Sequence, residues 1–205
     1  MQVDSGFAPN PYYGYCTLAA CTPNHMRANL EAGDVIVGVE ADGLVGRRRR
    51  ARGAGSTSNR CLVYYMVVEK TLDLDSYFRS PQFAAKKAKP TSHRYERRKG
   101  DNVYYRIGSQ FRATPGNAHD NKRSFLQDTK GDRVYISGRN EFYYFGDAEL
   151  EFPAQFEKHL PNGHGIKYWR EPLPELDDYV RRASRKLGRK GRIGDPISRD
   201  SASAC

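Results

Sequence analysis

Cys61-Leu62-Val63-Tyr64-Tyr65-Met66-Val67-Val68 is the stretch on which the fold turns. It is short for a helix, rich in β-branched and aromatic residues, and too continuously apolar for a half-exposed edge. It predicts a central strand. Upstream, 41–60 holds Gly, Arg and Ser without apolar periodicity and predicts a mobile basic loop. Before that loop, Val35-Ile36-Val37 predicts a short buried strand. A helix is expected ahead of it, with Thr22 as cap, Pro23 in the first turn, Met26 and Leu30 on one face, and Gly33 as the left-handed stop. Tyr13 to Ala20, rich in aromatic, Thr and aliphatic residues, predicts an early strand.

Downstream, Leu72 to Ala85 reads as a short helical or irregular stretch anchored by Tyr77, Phe78 and Phe83. Strands are expected at Val103–Ile107, Val134–Ser137 and Glu141–Phe145, with Gly138 to Asn140 as a hairpin turn between the last two. Leu176, Val180, Ala183 and Leu187 recur at helical spacing while Arg181, Arg182, Arg185 and Lys186 fill the other faces, so 174–188 predicts a C-terminal amphipathic helix. Residues 189–205 are polar, Gly-bearing and basic, and are expected to fray as a flexible tail. Strands and helices mixed in this order make one α+β domain over 1–173, with 41–60 as a basic insertion.

The 205 residues have room for one ordinary core, and 38% hydrophobic content with fourteen tyrosines fills it amphipathically. No apolar run approaches the roughly 18 residues of a membrane span, and the first ten residues lack signal-peptide character, so the expected compartment is the cytoplasm and no membrane partner is expected. Four cysteines do not suggest a disulfide framework. The net charge of +10 is segregated: 47–60 carries six cations, 86–99 seven and 181–192 seven, with Glu96 the only acid among them. Fourteen basic and twenty-three acidic residues remain elsewhere, a net −9. Such blocks stay solvated as tails or hold a polyanion, whose phosphates relieve the repulsion by releasing counterions.

The chain lacks a Gly-x-Gly-x-x-Gly turn, a Walker phosphate loop and a nucleophile elbow. Cys16, Cys21 and His25 have no second ligand pair, so buried thiols are expected and neither metal nor cofactor is. Gly100-Asp101-Asn102-Val103-Tyr104 follows the second cationic window. Asp101 and Asn102 have the donors and acceptors to read a base edge, with Tyr104 as stacking platform, although Gly-Asp-Asn is equally strong turn chemistry. His119, beside Asp120, is a candidate acid, base or hydrogen-bond donor. The proline-stiffened run with Phe7, Pro9, Asn10, Pro11, Tyr12 and Tyr13 makes either a lip for a planar ligand or a plug over a sheet end.

In order, Ser5-Gly6-Phe7-Ala8-Pro9-Asn10-Pro11 with Gly14, Thr17-Leu18-Ala19-Ala20-Cys21-Thr22-Pro23, Arg27, Gly33-Asp34-Val35-Ile36-Val37-Gly38, Tyr64, Tyr77, Phe83, Lys86-Lys87, Gly100 to Tyr104, His119 and Phe142-Tyr143-Tyr144-Phe145-Gly146 resemble the nucleotide modification associated domain of the second type over about residues 4 to 153. The resemblance implies association with systems that modify DNA bases in phages and bacteria, and carries over no catalytic residue. The Gly33-Asp34 step also looks like the entry to PUA-like and EVE-like readers of modified bases, which implies a mixed, partly closed sheet or small barrel. Two departures stand out: the basic insertion at 47–60, and Val35 where that family pattern has an aromatic.

The leading expectation is a nucleic-acid or nucleotide binding module whose partner is DNA or a nucleotide. Phe7, Asn10, Asp101, Asn102, Tyr104 and His119 are its candidate base pocket; Arg27, Arg47, Arg48, Arg49, Arg50, Lys86 and Lys87 are its candidate phosphate contacts. The alternatives are an enzyme acting on a modified base or nucleotide through Asp101 and His119, and an interaction subunit whose C-terminal helix docks a protein.

Overall fold

The computed structural model describes residues 1, 3–20, 28–41, 44–46, 59–162 and 165–197. The expected helix across 22–30 falls largely outside them, as do 42–43 and 47–58 of the expected loop 41–60; at the described start of that loop Ala41 and Leu44 are buried, so it is anchored to the core there. In chain order the described elements begin with β1 (Tyr15–Leu18), β2 (Val35–Val39), β3 (Leu62–Val67) and β4 (Lys70–Leu72). A helix α1 (Leu74–Arg79), a 3₁₀ helix at Pro81–Lys86 and a single turn α2 (Tyr95–Arg98) follow. Then come β5 (Tyr104–Ile107), β6 (Gln110–Ala113), α3 (Lys122–Gly131), β7 (Val134–Gly138), β8 (Phe142–Tyr144), α4 (Pro174–Lys186) and β9 (Gly191–Arg192).

The strands form three small sheets in the orders β2-β3-β8-β9, β1-β7-β4 and β5-β6. Neighbours run antiparallel except β8 and β9, which are parallel. The fold is α+β as expected, but the described strands do not close into a barrel. The hairpin expected at Gly138–Asn140 is also corrected. Glu141 N–H does bond back to the Gly138 carbonyl, at 2.9 Å, yet β7 pairs with β1 and β4 while β8 pairs with β3 and β9. The turn carries the chain from one sheet to another.

β3 is central, between β2 and β8, and buried on both faces. Tyr64 and Met66 pack with Cys16, Leu18 and Tyr135 from the neighbouring sheet. Tyr65 joins Tyr143 and Phe145 under Leu176 and Val180 of α4. Each buried aliphatic or aromatic side chain there stabilises by about 1.5–3 kcal/mol relative to exposure. Gly38 sits opposite Tyr64 in the register, and its missing β-carbon makes room for that ring: a Cβ would fall 1.9 Å from it. The apolar stripe of α4 is thereby covered by its own chain, leaving Leu187 exposed at its end.

The fraying expected after Gly188 is corrected for residues 189–197. Gly191 and Arg192 pair with Tyr143 and Tyr144, Ile193 is buried, and Ile197 N–H donates to the Asp4 carboxylate at 3.1 Å. Backbone pairing with an otherwise open edge of β8 outweighs the polar composition of the segment. Val35, expected in a buried strand, begins β2 but is 44% exposed.

Candidate nucleic-acid interface

The run from Asp4 to Gly14 has no regular period, yet buried hydrogen bonds hold it. Asn10 and Thr17 exchange backbone bonds of 2.9 and 3.1 Å. The Asn10 amide donates to the carbonyls of Lys99, at 2.8 Å, and Gly6, at 3.2 Å, while Tyr95 OH donates to the Ser5 carbonyl at 2.8 Å. Lys86 lies beneath, 1% exposed, on the last turn of the 3₁₀ helix. Its ammonium donates to Asn10 O at 2.9 Å, Asn10 Oδ1 at 2.7 Å and Thr17 Oγ1 at 3.1 Å, which uses all three protons. Thr17 passes its own proton to Asp101 Oδ2 at 2.6 Å, and Tyr77 OH donates to Asp101 Oδ1 at 2.9 Å.

Charge is therefore balanced inside the fold by Lys86 and Asp101, bridged by a hydroxyl. Burial lowers the Lys86 ammonium to about 8, with Asp101 opposing the shift. Burial likewise raises the Asp101 carboxyl, against the pull of Lys86, Thr17 and Tyr77. Cys16, also buried, is pushed up to about 12 by desolvation, which leaves an inert thiol at neutral pH. Cys21 and His25 lie outside the described residues.

A second polar knot sits beside the first. His119 Nδ1 lies 2.7 Å from Asp128 Oδ2, and Tyr104 OH donates to the same oxygen at 2.7 Å. Phe7 packs against the imidazole with ring centroids 4.9 Å apart. Asp128 comes from α3, whose start is fixed by Asn121 accepting from Ser124 N–H at 2.9 Å.

These placements revise the expected pocket. Phe7, Asn10, Asp101, Asn102, Tyr104 and His119 do come together, but all are between 0 and 7% exposed. They form two packed polar knots rather than an open cavity. Asn102 spends its amide on the carbonyls of Tyr77, at 3.1 Å, and Phe83, at 3.2 Å, so it holds α1 and the 3₁₀ helix to β5 rather than facing a base. The carboxylate facing His119 is Asp128, whereas Asp101 is committed to Thr17 and Tyr77. Lys86 points inward instead of toward a phosphate, because three oxygens compensate its desolvation there. Lys87 is half-buried with its ammonium 4.0 Å above the Phe78 ring. Arg27 and Arg47 to Arg50 lie outside the described residues.

The outward feature is the tip of the N-terminal loop. Tyr15 N–H bonds to the Tyr12 carbonyl at 3.3 Å, closing a turn whose two central residues, Tyr13 and Gly14, have φ of 58° and 80°. Tyr13 is 37% exposed there. Burial of its inner side raises its pKa, Glu96 adds to that, and the nearby charges of Arg97 and Arg94 oppose it. The Arg192 guanidinium lies 5.2 Å from the Tyr12 ring centroid. Arg139 completes the rim, its guanidinium 3.8 Å from the point a Gly14 β-carbon would occupy and its stem 3.6 Å from the same point on Gly191.

Cations from two of the three basic windows therefore lie about the tyrosine tip: Arg94 and Arg97 from the second act on Tyr13 through their charge, and Arg192 from the third faces the Tyr12 ring. The windows are legible in the sequence. Their convergence is not, since it depends on β9 pairing with β8. Arg139 is an isolated arginine with no sequence signal.

Fold and surface together define a small α+β module presenting a basic, tyrosine-tipped face above a closed polar interior. No described helix is long and apolar enough to cross a membrane. The chain belongs to the nucleotide modification associated domain 2 family, whose model matches residues 1–202. The match runs past the motifs of 4–153 through α4 and β9. No curated protein and no solved structure matches the chain.

Proposed function

We propose that this chain is a nucleic-acid or nucleotide binding module working alongside DNA-base modification, and that it grips phosphate with Arg94, Arg97, Arg139 and Arg192 around the Tyr12–Tyr13 tip. The observation that carries this reading is the gathering of cations from three separate chain segments about one exposed aromatic turn: Arg139 3.8 Å from the β-carbon position of Gly14, Arg192 5.2 Å from the Tyr12 ring, and Arg94 and Arg97 near enough to act on Tyr13 through charge. Asp195, 3.5 Å from Arg192, and Glu96 beside Tyr13 offset part of that charge; the excess positive charge that remains is what a polyanion would neutralise while releasing its own counterions. Lys87 and, through the basic insertion, Arg47 to Arg50 would extend the grip along a strand. Family membership supports the setting. Retention of a panel of unmodified DNA, modified DNA and free nucleotides at two salt concentrations tests it. Four phosphate contacts give log K against log salt a slope of about −3 to −4. Absent binding, or binding indifferent to salt, refutes the reading.

A second reading, an enzyme acting on a modified base or nucleotide, is favoured by one observation: His119 and Asp128 at 2.7 Å with Tyr104 on the shared oxygen. A carboxylate that orients an imidazole is the arrangement general acid–base chemistry uses. In this version His119 acts with Asp128, and Asp101 serves the fold. Turnover of a modified nucleotide that disappears in His119→Ala while binding persists supports it; no turnover across the panel refutes it.

A further inference from the structure

Tyr13 occupies a backbone position that ordinary local energetics gives to another residue. Two successive positive φ values in a closed turn suit Gly, Asn or Asp, and a bulky aromatic at the first of them is strained. The strain is not repaid by burial, because Tyr13 is 37% exposed while the neighbouring Tyr12 is 3% exposed. The turn does not hang free. Asn10 Oδ1 accepts from Tyr12 N–H at 3.4 Å as well as from Lys86, so the tip is braced on the buried Lys86–Thr17–Asp101 chain. A strained residue, braced from below and 37% exposed, is placed for contact rather than for packing alone.

Resting on the binding reading above, we infer that Tyr13 is a base-stacking platform, and that this face takes unpaired nucleotides, in single-stranded or extruded form, in preference to intact duplex. A base within a duplex already has both faces stacked, so its π-face is not offered to a tyrosine. An unpaired base presents that face, and its flanking phosphates then fall among Arg94, Arg97, Arg139 and Arg192. Stacking on a tyrosine is indifferent to base identity, so the tip selects strand state and leaves sequence unread.

The test compares a labelled oligothymidine with a hairpin duplex of equal phosphate number, by anisotropy titration over a range of salt, for wild type, Tyr13→Asn and Tyr13→Phe. Asn suits the left-handed turn and lacks the ring; Phe keeps the ring. Tyr13→Asn is expected to bind the single strand about 5- to 150-fold more weakly with an unchanged salt slope. Its duplex affinity should stay at the wild-type value, and its melting temperature should match wild type or exceed it by about 2–4 °C. Tyr13→Phe should retain single-strand affinity to within about threefold. Wild-type single-strand affinity in Tyr13→Asn, a wild-type preference for duplex, or equal loss in Tyr13→Phe overturns the inference while leaving the arginine grip intact. Failure of wild type to bind either nucleic acid overturns both.

Discussion

Replacing Lys86 by Met separates a structural lysine from a phosphate-binding one. The substitution keeps the stem's approximate volume and removes three hydrogen bonds of 2.7 to 3.1 Å to Asn10 and Thr17. It also leaves the Asp101 carboxylate, 0% exposed, without its balancing charge. Breaking a buried pair by deleting one partner costs about 3–5 kcal/mol, a large share of the about 5–15 kcal/mol that holds a typical domain. With a urea m-value of about 2 kcal/mol/M, the unfolding midpoint should fall by about 1.5–2.5 M. Adding Asp101→Asn removes the stranded charge, so Lys86→Met/Asp101→Asn should recover at least about 1 kcal/mol over Lys86→Met alone. Nucleic-acid affinity per folded molecule should not change. Urea unfolding followed by far-UV circular dichroism, paired with anisotropy at a temperature where each variant is folded, measures all three. A wild-type midpoint in Lys86→Met, a double variant weaker than the single one, or lost affinity at unchanged stability would each refute the assignment.

Asp4, fully buried against Tyr144 OH and the backbone N–H of Ile197, has a carboxyl raised to about 6 by desolvation. A folded pKa above the unfolded value means the folded state holds the extra proton between about pH 4 and 6, so this group's contribution to stability declines as pH rises through that window. Relative to Asp4→Asn, wild type should lose urea resistance from pH 4 to 7; parallel curves would contradict the shift. Gly38→Ala drives a methyl group into the Tyr64 ring, and the overpacking should cost about 1–3 kcal/mol in calorimetry or urea unfolding. Tyr77→Phe removes one of the donors to buried Asp101 and should cost about 1–3 kcal/mol, with a smaller loss when Asp101 is already Ala, which offers the hydroxyl no acceptor.

Periodicity located the elements that bury a continuous face. Within 61–68, Leu62–Val67 forms the central strand because both faces need apolar cover, and α4 forms where Leu176 and Val180 recur at helical spacing. The α3 helix escapes that reading: within Lys122–Gly131 only Phe125 and Leu126 are large and apolar, and the remaining signal is the Asn121 cap. β9 has two residues and owes its existence to the open edge of β8, a tertiary fact with no local signature.

Site residues divide the same way. Asn10, Asp101, Asn102, Tyr104 and His119 stand out as polar or aromatic residues near turns, and they do gather. Whether a polar group faces solvent or a buried partner depends on residues as far apart as Thr17 and Asp101, and sequence spacing carries no information on that. Charge runs are visible as composition, whereas the meeting of Arg94, Arg97, Arg139 and Arg192 requires the sheet order.

Phosphate binding at this face depends on that gathering of arginines. The direct measurement is the salt dependence of single-strand DNA binding for wild type and for Arg94→Gln/Arg97→Gln/Arg139→Gln/Arg192→Gln, with circular dichroism confirming that the variant folds. A grip through these four side chains predicts that the slope of log K against log salt becomes shallower by about 3 units. A folded variant that keeps the wild-type slope and affinity would show that phosphate is held elsewhere.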